Sequence, residues 1–173
     1  MSLVKLPFLL LNVRSVYATL TPPTPQVPAN ERAKTTISER VFSTVCRACT
    51  LVLKSLLCTG SILEVVVILA AQWPSLQLSE VILSLLVNGP RSLVGRIALS
   101  RAFLVGCGLV NIGAFIRIRC YRALGRHFTY EIAIKDDHQL VTSGPYSYVR
   151  HPSYTSGLIC WAGMVLACVG HGS

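Results

Sequence analysis

The stretch that offers chemistry runs Gly144-Pro145-Tyr146-Ser147-Tyr148-Val149-Arg150-His151-Pro152-Ser153-Tyr154. Gly144-Pro145 marks a tight turn. Pro152 suits the first turn of a helix, where its missing N–H removes no hydrogen bond. A helix beginning there turns free N–H groups and a partial positive charge outward, a ready site for an anion. His151, Tyr146, Tyr148 and Tyr154 crowd that mouth, and tyrosine faces attract cations such as a sulfonium. Taken singly, these residues have plainer uses. His151 caps the helix equally well, and Tyr146 and Tyr148 fit an aromatic belt at a membrane surface. His127 and His138 fit solvated loop positions. Seven cysteines are present. Cys46 and Cys49 form a lone C-x-x-C without the second ligand pair that a zinc site needs, so no metal is expected. The other thiols read as small apolar residues.

The elements that must carry this segment are apolar. Apolar residues make up 52% of the 173 residues and charged residues only 13%, against about 25% charged in a soluble domain. Mean hydropathy is +0.57. The composition therefore predicts an all-α, polytopic membrane helix bundle. Residues 1–20 read as an N-terminal membrane helix or anchor. Residues 21–30 form a linker whose Pro22, Pro23, Pro25 and Pro28 exclude a helix. A polar, basic helical approach over 31–47 precedes spans at about 51–73, 98–118 and 153–170. The first span holds twelve Leu, Ile or Val residues between Leu51 and Ala71, which favour insertion by roughly 5 kcal/mol. Glu64 opposes that by roughly 3 kcal/mol and is expected to face another helix through a buried polar contact. Residues 76–87 are apolar but too short to span, since a membrane helix needs about 20 residues. Ala102, Gly106 and Gly113 give one span a small-residue face, and Gly163 with Ala167 repeats the pattern in the last.

The net charge is +9. The bases lie between apolar runs and not on one solvated face, so membrane-flanking loops explain them and nucleic acid does not. Residues 31–54 hold five Lys/Arg and 117–150 hold six, against three over 74–101. The two richer stretches belong on the cytosolic side, and two spans between them keep both there. Segment 117–152 is thus expected in the cytosol.

The joint pattern is more specific than its parts. Leu124-Gly125-x-x-Phe128, His138-x-Leu140-Val141-x-x-Gly144-x-Tyr146 and Arg150-His151-Pro152-x-Tyr154 together resemble the isoprenylcysteine carboxyl methyltransferases. Their superfamily also includes phospholipid methyltransferases. The resemblance implies an endoplasmic reticulum, multi-pass membrane enzyme with its catalytic side in the cytosol. It implies S-adenosylmethionine as methyl donor and prenylated CaaX-type proteins as substrates, with the C-terminal carboxylate as acceptor. By motif, Glu131, His138, Gln139, Leu140, Val141, Tyr146, His151, Pro152, Ser153 and Tyr154 would line the cofactor. Residues 31–173 would form the methyltransferase-like domain. The family continues with further helices and a late arginine and glutamate pair, thought to complete the site. Only 19 residues follow Tyr154 (173 − 154), and those residues are absent. The resemblance therefore implies a C-terminally truncated member with little or no activity and leaves the catalytic residues unassigned. Two other readings stay open: a phospholipid or small-lipid methyltransferase, and an inactive membrane protein that keeps the fold.

Overall fold

The computed structural model describes residues 3–24, 36–87, 97–128 and 141–169. The described residues are helical and contain no strand. Five α-helices follow in order: α1 (Lys5–Leu20), α2 (Ile37–Ala70), α3 (Gln77–Leu86), α4 (Arg101–Leu124) and α5 (Pro152–Val169). Short 3-10 turns at Gly125–His127 and Gly144–Ser147 lie between the last two. Three of the helices, α2, α4 and α5, are long and apolar enough to cross a membrane. The chain is a polytopic membrane helix bundle.

Local signals set the ends. Glu39 reaches back to accept from the Thr36 backbone N–H at 2.8 Å and opens α2. No proline or glycine interrupts the next 23 residues. The basic approach and the apolar span are therefore one 34-residue helix, not two pieces meeting near residue 51. Ser100 Oγ accepts from Phe103 N–H at 3.1 Å and caps α4. That helix runs to Leu124, six residues past the expected end at 118. Gly125 stops it with φ +49°, a conformation that L side chains rarely adopt.

The tightest contact joins α4 and α5, which run antiparallel. Gly106 faces Gly163 and Ala167, and Gly113 faces Ser156 and Cys160. A methyl group at Gly106 would lie 2.6 Å from the Ala167 backbone nitrogen; one at Gly163 would lie 2.7 Å from the Gly106 carbonyl oxygen. Backbone meets backbone here, the close approach by which helices associate where lipid removes the usual hydrophobic drive. Val110, Ala114, Cys160 and Met164 fill the seam, with Val16 of α1 added from the side.

The first helix is held by polar groups. It runs parallel to α4. Asn12 Nδ2 donates to Cys107 Sγ at 3.0 Å, Asn111 Nδ2 to Asn12 Oδ1 at 3.1 Å, and Ser15 Oγ to Asn111 Oδ1 at 2.7 Å. Lys5, wholly buried, meets Glu64 of α2 at 2.5 Å and lies 4.5 Å over the Phe103 ring of α4. Glu64 thus faces a neighbouring helix, and its partner there is a cation. Glu64 Oε1 makes no hydrogen bond of good alignment, so charge attraction holds this pair.

Two outcomes test this packing. Gly163→Ala is expected to lower stability by about 1–3 kcal/mol through overpacking, whereas Gly108→Ala, with open space around it, should gain about 1 kcal/mol of helix propensity. Thermal unfolding in detergent reads both signs. Lys5→Met alone should cost about 3 kcal/mol by stranding Glu64, and the double variant Lys5→Met/Glu64→Leu should recover most of it. A double-mutant cycle that gave additive losses would refute the coupling.

Candidate active site at the mouth of the last helix

Pro152 occupies the first position of α5 and is buried. His151 precedes it, and its carbonyl accepts from Tyr154 N–H at 3.2 Å and Thr155 N–H at 3.4 Å. The backbone of His151 therefore closes the first turn while its ring stays exposed. That ring lies 5.7 Å from the Tyr154 ring, tilted by 50°. Tyr154 is 74% exposed. Two free aromatic faces thus flank the positive end of a helix. Ser153 is half-buried, and its carbonyl accepts from Ser156 Oγ at 2.8 Å.

The Gly144–Ser147 turn packs on the end of α4. Gly144 takes φ +61°, which lets Pro145 begin the 3-10 turn. Ser147 Oγ donates to the Gly144 carbonyl at 2.7 Å and closes it. Tyr146 is half-buried and lies beside the buried Cys120 thiol. Burial, with Cys120 adding to it, pushes the Tyr146 phenol up to about 12. Tyr148 is 89% exposed.

Sequence-predicted residues therefore fall into three groups. His151, Pro152, Ser153 and Tyr154 gather on one helix turn, and Tyr146 and Val141 belong to the segment leading into it. Glu131, His138, Gln139 and Leu140 lie outside the described residues. A cleft of about 600 Å³ opens beside this segment, lined by Phe115, Ile116, Arg119, Gly144, Pro145, Ser147 and Tyr148. Its walls include none of the expected cofactor residues, so the cleft adjoins the motif without being formed by it. No group of metal-ligating side chains occurs among the described residues. His127, expected in solvent, is half-buried.

Sequence reasoning missed Arg117 and Tyr121. Arg117 Nη1 donates to the Ser153 carbonyl at 2.9 Å. Its Nε donates to the Thr19 carbonyl at 3.1 Å and to Tyr121 Oη at 2.7 Å. Tyr121 in turn donates to the Thr19 carbonyl at 2.6 Å. The available signal was an arginine within an apolar helix with a tyrosine four residues on, since charges in spans are costly and tend to be functional.

Comparison with known proteins bears on the same segment. The sequence model of the isoprenylcysteine carboxyl methyltransferase (ICMT) family matches residues 104–171. The probable protein-S-isoprenylcysteine O-methyltransferase of Oryza sativa subsp. indica is 45% identical over 60 residues, 34% of this chain and 31% of the rice protein. The Schizosaccharomyces pombe protein-S-isoprenylcysteine O-methyltransferase is 42% identical over 57 residues, covering 32% of this chain and 24% of the yeast protein. The Saccharomyces cerevisiae protein of the same name is 40% identical over 60 residues, covering 34% and 25%. The chain thus matches less than a third of the length of these curated relatives. No solved structure matches it. The ICMT segment takes in most of α4, both 3-10 turns and α5; α1, α2 and α3 lie outside it.

The raised Tyr146 value gives a signed expectation. A phenol that ionises near 10 unfolded and about 12 folded adds stability fully present below pH 10 and lost as pH rises through 12. The stability difference between the natural protein and Tyr146→Phe should stay flat from pH 7 to 10 and then shrink. A difference that instead fell between pH 7 and 9 would show that Tyr146 is not buried as described.

Proposed function

We propose that the chain is a methyltransferase of prenylated cysteine, using S-adenosylmethionine to esterify the C-terminal carboxylate of CaaX-type proteins. The observation that carries this reading is the family match over 104–171, with His151, Pro152, Ser153 and Tyr154 gathered on the first turn of α5. In this reading the ICMT segment faces the cytosol from the endoplasmic reticulum membrane. The lysine and arginine excess over 31–54 and 117–150 supports that orientation.

The residues present fit the donor. S-adenosylmethionine supplies a methyl group on a sulfonium centre. The exposed faces of His151 and Tyr154 offer contact to a cation, and the start of α5 offers positive potential to a carboxylate. Val141, Tyr146 and Ser153 would add walls, as would Glu131, His138, Gln139 and Leu140.

The acceptor asks little acid–base chemistry of the chain. A C-terminal carboxylate has a pKa near 3.5 and is ionised at pH 7. The chain therefore need not remove a proton, and Tyr146, held neutral to about 12, would not compete as a base. What remains for the residues is alignment and exclusion of water. A site at the bilayer edge lets the prenyl group stay in lipid while the carboxylate reaches α5.

Equilibrium binding of S-adenosylmethionine to the full chain in nanodiscs tests the reading. Saturable binding is expected, weakened about tenfold by His151→Ala, the scale of one lost cation–aromatic contact or charge-assisted bond. Methyl transfer to N-acetyl-S-farnesylcysteine but not to phosphatidylethanolamine would complete it. The reverse preference would place the chain with the phospholipid enzymes, and no donor binding would sink the enzymatic reading.

A further inference from the structure

We infer that Arg117 is a positioning residue for the His151–Tyr154 turn, and that it works by bolting that turn to the end of α1, outside the ICMT segment. The consequence for donor binding rests on the function proposed above; the bolt itself does not.

One guanidinium joins three helices. Arg117 reaches from α4 to the Ser153 carbonyl on the first turn of α5 and to the Thr19 carbonyl on the last turn of α1. Tyr121, one turn along α4, accepts from the same Nε and donates to the same Thr19 carbonyl. The guanidinium carbon also lies 5.5 Å from the Tyr121 ring. The planar fork of arginine can serve these acceptors together, whereas a lysine ammonium is a point donor on a flexible stem.

The surrounding sequence makes room for the bolt. A methyl group at Gly157 would lie 3.0 Å from Arg117 Nη1, so the glycine one turn beyond Ser153 leaves space for the guanidinium. Ser153 stands directly between Pro152 and Tyr154. Fixing its carbonyl fixes the rotation of the first turn, and with it the direction in which His151 and Tyr154 present their rings. A contact holding only the helix shaft, such as Gly106 on Gly163 and Ala167, does not set that turn, because helix ends fray independently of their middles.

Hydrogen exchange and donor binding test this on the full chain in nanodiscs. In Arg117→Lys, the amides of Tyr154 to Gly157 are expected to exchange about tenfold faster, the scale of one lost charge-assisted bond. Those of the α5 shaft, 160–169, should be unchanged, and S-adenosylmethionine should bind about tenfold more weakly. Gly157→Ala, which crowds the guanidinium without removing it, should give the same local pattern at smaller size and serves if the lysine variant does not fold. Exchange at 154–157 equal to that of the natural protein in both variants overturns the inference. So does acceleration spread evenly over all helices, which would mark Arg117 as a general packing residue. If the natural protein shows no donor binding, the functional reading fails, and the exchange contrast alone still decides the bolt.

Discussion

Everything at the candidate site depends on how closely α4 approaches α5. Their separation is set by Gly106, Gly113 and Gly163, where one backbone rests on the other. Three consequences follow from that distance. Arg117 is brought within reach of the Ser153 carbonyl. Cys120 is brought to Tyr146. The Gly144–Ser147 turn is left lying on the end of α4 and not standing free of it. A larger residue at any of the three glycines would push on backbone atoms of the facing helix and so lengthen the reach from Arg117 to the Ser153 carbonyl. In lipid the interhelical contact is driven by packing and by polar groups, which makes shape at the seam count for more than apolar area.

The polar groups do the complementary work on α1. A helix of 16 residues is short for a bilayer, and its attachment is not left to apolar contact. The Asn12–Cys107–Asn111–Ser15 set ties its middle to α4, and Lys5 ties one end to α2 through Glu64. At the other end, Lys54 donates to Thr21 Oγ1 at 3.3 Å and covers the Tyr17 ring at 4.8 Å. Each of these groups would be costly if turned to lipid. Together they specify which face of α1 meets the bundle, and how far along it sits.

The features legible in the sequence were those with local causes. Pro152 announced the start of α5, the small residues at 106, 113 and 163 announced a close contact, and Glu64 announced a buried polar partner. The misreadings have physical reasons as well. The polarity of residues 37–50 suggested a break before the span, yet polarity does not end a helix; only a lost donor or a strained backbone does, and neither occurs there. Ending the second span at 118 put Arg117 at the edge of a loop. Gly125, with its positive φ, was the better stop signal, and honouring it places Arg117 inside a helix with Tyr121 one turn away. The partner of Lys5 could not be read locally, because Glu64 lies on another helix and many pairings of an isolated lysine are compatible with one sequence.

Arg117 also resolves a conflict of charge at this end of the bundle. A cation beside the start of a helix opposes the helix dipole, so an arginine against the first turn of α5 is unfavourable taken alone. The topology changes the sign. α1 and α4 run parallel and both end here, so two negative helix termini stand beside one positive terminus. α1 carries no basic residue in its own last turn, and its final carbonyls lack partners within the helix. Neighbouring helices supply the cations instead: Lys54 donates to Thr21 Oγ1, and Arg117 donates to the Thr19 carbonyl. The guanidinium is thus stabilised by the end of α1 and remains available as positive potential at the start of α5. A bundle with α1 running the other way would offer Arg117 a positive terminus on both sides, and the same residue would then push the His151–Tyr154 turn away.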